Sequence, residues 1–104
     1  FEGIKFIAAS FRNRSPQELR ALAMPLQNEP GLIAVLASYD GAKVSIVVSC
    51  AADTRVSAND LIRKLLAEIN GRGGGDARIA QGGGAASEEQ CADIMANVRA
   101  RIRE

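Results

Sequence analysis

The chain has 104 residues, enough for one domain and too few for two. Apolar residues make up 47% and charged residues 24%, an ordinary globular balance, and no apolar run approaches the ~20 residues of a membrane-spanning helix. The formal net charge of +1 excludes a strongly basic surface in the total, leaving only local clusters of charge.

Gly3 to Phe11 alternates as a strand, with Ile4, Phe6 and Ala8 on one face. Ser15-Pro16-Gln17-Glu18 then starts a helix: Ser15 caps, Pro16 fits the first turn and Glu18 completes a capping box. The spacing predicts burial of Leu19, Leu22, Ala23 and Leu26, with Pro25 loosening the last turns. Gly31 to Tyr39 is apolar almost throughout and reads as a central strand buried on both faces. Asp40-Gly41 is a hairpin signal. Lys43 to Cys50 follows as a strand whose wetter face carries Lys43, Ser45, Val47 and Ser49.

Ser57 caps a second helix, with Asp60 three residues on. Ala58, Leu61, Ile62, Leu65, Leu66 and Ile69 form its apolar stripe, Arg63, Lys64 and Glu68 lie off it, and Asn70-Gly71 ends it. The segment from 71 to 84 holds seven of the ten glycines, and within it Arg78 to Gln81 suits a short extra strand. Ser87 starts a third helix that buries Cys91, Ile94, Met95, Val98 and Ile102 and carries Arg99, Arg101 and Arg103 near its end, where cations suit the helix dipole. The order β-α-β-β-α-(β)-α predicts an α/β, α+β-like fold: a small mixed sheet with helices packed on it. The chain reads as a single globular domain over 1–104. Beginning at Phe1 just before a strand, it also reads as a fragment of a longer chain.

Several chemistries are excluded. Without histidine there is no Ser-His-Asp or Cys-His arrangement, and with no CxxC pair there is no Cys/His zinc site. Cys50 and Cys91 read as reduced, buried thiols. Most acids sit in helix first turns, so no self-contained active site is expected. A Walker A loop needs a lysine after the glycines, and none follows Lys64. The dinucleotide pattern GxGxxG fails at Asp76 in one register and Ser87 in another. Two readings of the glycine segment stay open. Its backbone N–H groups, with Arg72 and Arg78, suit a nucleic-acid backbone. Alternatively, the glycines permit a tight path over a helix or strand.

Ile69-Asn70-Gly71-Arg72-Gly73-Gly74-Gly75, followed by Ile79-Ala80-Gln81-Gly82-Gly83-Gly84, resembles the signature at the C-terminal end of alanyl-tRNA synthetases. Val56-Ser57-Ala58-Asn59-Asp60-Leu61-Ile62 resembles that family's helix start. The module that this resemblance implies is of the DHHA1 type shared with DHH-family phosphoesterases, which typically carry Gly-Gly-x-Gly-His. Here Asp76 follows the first glycine run, and Ala80-Gln81-Gly82-Gly83 is the synthetase form. The basic residue, proline and acidic residue of the family pattern correspond to Asp76, Ala77 and Arg78, so the charge order is reversed and the proline is lost.

The resemblance implies an accessory domain, not itself catalytic, that contributes to tRNA binding and to coupling of aminoacylation with editing. Its implied contacts are Arg72, Gly73, Gly74, Gly75, Arg78 and Gln81, with Lys64 and Arg63 from the preceding helix. It implies tRNA and the upstream domains as partners, a homodimer in some members, no membrane, a cytoplasmic setting, and no cofactor in this fragment. ATP, magnesium and zinc would belong to upstream domains. The alternative expectation is an oligomerisation or packing module without direct tRNA contact, which the near-neutral charge favours.

Overall fold

The structure, a computed structural model, describes residues 5–41, 43–51, 54, 57–67, 69 and 71–103, except for the side chains of residues 6, 27 and 99–103. Expectations for Gly3, Ile4, Val56, Glu68 and Asn70, and for the side chains of Phe6, Arg99, Arg101, Ile102 and Arg103, lie outside the described residues.

Strand β1 spans Lys5–Arg12, helix α1 Pro16–Ala23, strand β2 Leu32–Asp40 and strand β3 Lys43–Cys50. They are followed by helix α2, Ala58–Ala67, strand β4, Arg72–Gly75, strand β5, Ile79–Ala85, and helix α3, Glu88–Arg103. The five strands form one sheet in the order β1-β2-β3-β5-β4. β1 and β2 are parallel, as the α1 crossover between them requires, and the remaining pairs are antiparallel.

The helix starts follow the capping chemistry of the sequence. Ser15 Oγ accepts from the Glu18 N–H at 3.1 Å while Glu18 Oε1 accepts from the Ser15 N–H at 3.2 Å, and Ser87 with Gln90 repeats the box at the head of α3. At α2 the Asp60 N–H reaches Ser57 Oγ at 3.4 Å. Proline at position 25 supplies no N–H, so α1 ends at Ala23 and the chain continues as a 3-10 turn over Met24–Asn28.

One sheet face carries Ile33, Val35 and Ala37 of β2 with Val44, Ile46, Val48 and Cys50 of β3. It packs against the α2 stripe of Ala58, Leu61, Ile62, Leu65 and Leu66 and against Cys91, Ile94 and Val98 of α3. The other face packs Leu36, Val47 and Ile79 under Leu19 and Ala23 of α1. With β1 and β3 on its two sides and helices on both faces, β2 is buried from Leu32 to Ser38.

Three expectations are corrected. Leu22 is 49% exposed: the short helix buries only the Leu19–Ala23 stripe, and Leu22 lies on the flank opposite Arg20. Val47 and Ser49, placed on a wet face by alternation, are fully buried because α1 covers that part of β3. Only Lys43 and Ser45 remain on the open part of that face. Finally, the glycine segment is not a loop with one short strand but two paired strands, β4 and a seven-residue β5.

Candidate nucleic-acid interface

The β4–β5 hairpin exists because its glycines lack side chains. A Cβ on Gly73 would lie 2.5 Å from the Gln81 carbonyl oxygen, and one on Gly82 would lie 2.5 Å from Leu66 Cδ1 and 2.7 Å from both the Arg72 carbonyl oxygen and Gly73 Cα. Real Cβ atoms do not approach so closely, so the two strands and the Leu66 side chain occupy space that any other residue would fill. Gly74 differs: among the described residues a Cβ there meets only Asn59 Oδ1, at 3.1 Å.

The tip is tied down by hydrogen bonds. Asp76 Oδ1 accepts from the N–H groups of Arg78 at 2.8 Å and Ile79 at 2.9 Å, closing an Asx-type turn. The Ile79 and Arg78 N–H groups, in that order, hold the Asp76 carboxyl below its ordinary range. The first-turn N–H groups of α2 at Ala58 and Asn59 donate to the carbonyls of Ala77 and Asp76 at 3.0 and 3.1 Å. Asn59 Oδ1 in turn accepts from the Gly75 N–H at 3.2 Å. The α2 N-terminus is therefore spent on the hairpin.

The opposite end of the hairpin is open. The Gly75 N–H points away from β5 to reach Asn59, and strand alternation aims the Gly73 N–H at the same free edge. Beside it Arg72 is exposed and stands on the rim of two grooves. One, of about 500 Å³, is lined by Arg63, Leu66 and Ala67 of α2 with Gly71 and Gly73. The other, of about 470 Å³, lies on the α1 face among Pro16, Lys43, Ser45, Gln81 and Gly83. Among the described residues the ion pairs are Arg12–Glu88 and Arg14–Glu18, so Arg63, Arg72, Arg78 and Lys43 carry charge that no described acid pairs.

The expected site residues are thus only partly assembled. Arg63, Arg72, Gly73 and the open β4 edge come together. Arg78 sits at the tip, separated from Arg72 by the length of β4, and Gly75 has its N–H taken. Gln81 Oε1 accepts from Arg20 Nη1 at 3.1 Å, and Lys64 lines neither Arg72 groove. Sequence reasoning missed Lys43, Arg20 and Asn59. The departure of Lys43 from an otherwise small or apolar strand face was the one signal for it.

Cys50 and Cys91 are buried and free, and burial pushes the Cys50 thiol up to about 12. Among the described residues no group of three or more Cys, Asp or Glu could hold a metal ion, and no helix is long and apolar enough to cross a membrane.

A mixed five-stranded sheet bearing a glycine hairpin docked on a helix defines a small α/β module that sets Arg72, paired with no described acid, on the rim of two grooves. The DHHA1 domain family matches residues 3–104, and the chain belongs to that family. It is similar to the alanine–tRNA ligase of Bordetella avium, 36% identical over 80% of this chain and 10% of the ligase. The ligase of Halorhodospira halophila is 34% identical over 98% of this chain and 12% of that protein. The chain spans about a tenth of the length of these curated relatives. The crystal structure of the C-Ala domain of Aquifex aeolicus alanyl-tRNA synthetase superposes with a TM-score of 0.87 at 27% identity, covering 97% of this chain and 93% of that one. The resemblance seen in the glycine signature is therefore borne out in family and in fold.

Proposed function

We propose that this chain serves as the C-terminal accessory module of an alanine–tRNA ligase, holding tRNA through its phosphate backbone and so helping to couple aminoacylation with editing. The module itself carries no chemistry in this reading. ATP, magnesium and zinc act in upstream domains of the ligase, in the cytoplasm. The observation that carries the reading is the position of Arg72. It is exposed and unpaired among described residues, flanked by Arg63 and by the open Gly73 edge. Guanidinium forks and a free backbone N–H suit phosphate oxygens, and such contacts position a nucleic acid without reading its sequence. Arg78 and Lys64 add charge outside that cluster.

The test is a titration of tRNA into the chain at several salt concentrations. Binding with log K falling linearly in log salt is expected, and replacing Arg72 and Arg63 by Ala should reduce the slope by about one for each phosphate that is no longer neutralised. Absence of binding at high micromolar concentration, or an unchanged slope in the double variant, would overturn the reading.

A second reading, association without RNA contact, rests on the exposure of Ile7 at 41%, Leu22 at 49% and Met24 at 45%, with β1 at a sheet edge. A sedimentation run showing a strict monomer at high micromolar concentration would remove it.

A further inference from the structure

The groove on the α1 face has a composition that the Arg72–Arg63 cluster does not explain. Register places Arg72 of β4 opposite Gly83 of β5, and Gly83 opposite Ser45 of β3. Further toward the sheet end on the same face, Ala85 lies opposite Lys43. Helix α1 stops short of this strip, and Pro16 in its first turn forms the wall. The floor is therefore backbone and small side chains, and the two long cations rise from either side of it. Strands ~4.8 Å apart and residues ~3.3 Å apart put the Lys43 and Arg72 Cα atoms roughly 12 Å from each other, a gap their side chains can close from both sides.

Each polar side chain lining the groove can donate. Lys43 and Arg72 donate only. Gln81 is oriented: a guanidinium cannot accept, so the amide atom that meets Arg20 Nη1 at 3.1 Å is the carbonyl oxygen, which leaves the Gln81 NH2 to donate elsewhere. The Ser45 hydroxyl completes the set, and among the described residues no carboxylate lines the groove. Convergent donors over a floor of backbone and small side chains are complementary to an anion that must come close to backbone.

We propose that this groove holds one phosphodiester of the RNA backbone, with Lys43 and Arg72 on its non-bridging oxygens, Gln81 and Ser45 donating to phosphate or ribose oxygens, and Arg20 acting as the positioning residue for Gln81. Arg72 then joins this subsite to the Arg63 side, so that the strand crosses the open end of the hairpin. The proposal rests on the RNA-binding reading and adds to it a subsite made with Lys43, Ser45, Gln81 and Arg20.

The experiment measures tRNA affinity and salt slope for the unaltered chain and for Lys43→Gln, Ala85→Glu and Arg20→Met, with melting curves for each. Lys43 and Ala85 are exposed strand-end positions, so the variants should fold. With one phosphate no longer neutralised, Lys43→Gln should show a salt slope smaller by about 0.7–0.9 and an affinity about five- to eightfold lower at 0.1 M salt. Ala85→Glu, which puts a carboxylate on the groove floor, should weaken binding at least as much. Arg20→Met should lower affinity about two- to tenfold, the worth of one hydrogen bond, with the slope unchanged because Arg20 touches no phosphate. Arg20→Lys should restore part of the affinity.

If Lys43→Gln and Ala85→Glu bind as the unaltered chain does while Arg72→Ala is weakened, the groove is not a subsite and the broader reading survives. If the unaltered chain does not bind tRNA, both fall. Inorganic phosphate is titrated at constant ionic strength to separate the two sources of phosphate. Displacement of tRNA only at concentrations far above that of the competing tRNA phosphate supports the polymer, whereas displacement at matched concentrations overturns it in favour of a free-anion site.

Discussion

Gly82→Ala should destabilise the chain clearly, and Gly74→Ala should scarcely matter. A methyl on Gly82 meets Leu66 Cδ1 at 2.5 Å and two backbone atoms of β4 at 2.7 Å, so each must retreat by most of an ångström. Leu66 can rotate, but it is 1% exposed and packed in the core, and the β4 backbone is held by its pairing to β5. Overpacking a close approach of this kind costs about 1–3 kcal/mol, and two of the three neighbours here are rigid, which puts Gly82→Ala near the upper end. Against this, replacing Gly by Ala stiffens the unfolded chain and returns about 0.4–1 kcal/mol, for a net destabilisation of roughly 2 kcal/mol. At Gly74 the single neighbour is the Asn59 amide oxygen at 3.1 Å, an atom on a side chain that can yield. There the two effects offset each other to within about 0.5 kcal/mol. Urea unfolding of both variants measures the difference. Leu66→Ala in the Gly82→Ala background separates side-chain crowding from backbone crowding, because only the former is relieved. Equal midpoints for Gly82→Ala and Gly74→Ala would refute close approach as the reason for the glycines.

Packing and hydrogen bonding elsewhere in the chain set two further outcomes. Leu19→Ala should cost about 2–5 kcal/mol in urea unfolding, whereas Leu22→Gln should fall within about 0.5 kcal/mol of the unaltered chain, despite their equal claim in the sequence. Asp76 and Glu18 both have carboxyls held below their ordinary values, Asp76 chiefly by the Ile79 N–H and Glu18 chiefly by the Ser15 N–H. A depressed folded-state pKa means that the unfolded chain binds protons first as pH falls. The contribution is therefore whole above the ordinary values of 3.8 and 4.5 and is lost as pH drops through the lower folded-state values. Melting temperature followed from pH 6 to pH 2 should fall less steeply in Asp76→Asn than in the unaltered chain, and parallel curves would contradict the assignment.

What could be read from the sequence was local. Ser15 with Glu18 marked a helix start because both halves of the box lie within one turn, and the α2 stripe from Ala58 to Leu66 was legible because one continuous face is buried. β2 was legible for the opposite reason: burial on both faces removes alternation and leaves an apolar run. β4 was not. Arg-Gly-Gly-Gly has no side-chain period and poor strand propensity, and its extended path is imposed by β5 and by Leu66 closing over it. The same kind of non-local cause defeated Leu22, Val47 and Ser49, whose burial depends on how far α1 extends across the sheet.

The candidate site divides along the same line. Arg72 and Arg78 look like neighbours in the sequence, because they lie close along the chain and a glycine loop could bring them together. A strand cannot do so. Once residues 72–75 are extended and Asp76 closes the turn, the two guanidiniums stand at opposite ends of a hairpin. Lys43, far upstream of Arg72 in the chain, is brought to its groove through two strand pairings, Lys43 to Ala85 and Arg72 to Gly83. No local pattern could carry that relation. The glycines thus serve the site indirectly: with no side chains on β5 at 82–84, nothing stands between two cations that the sequence keeps far apart, and the groove between them is floored by backbone.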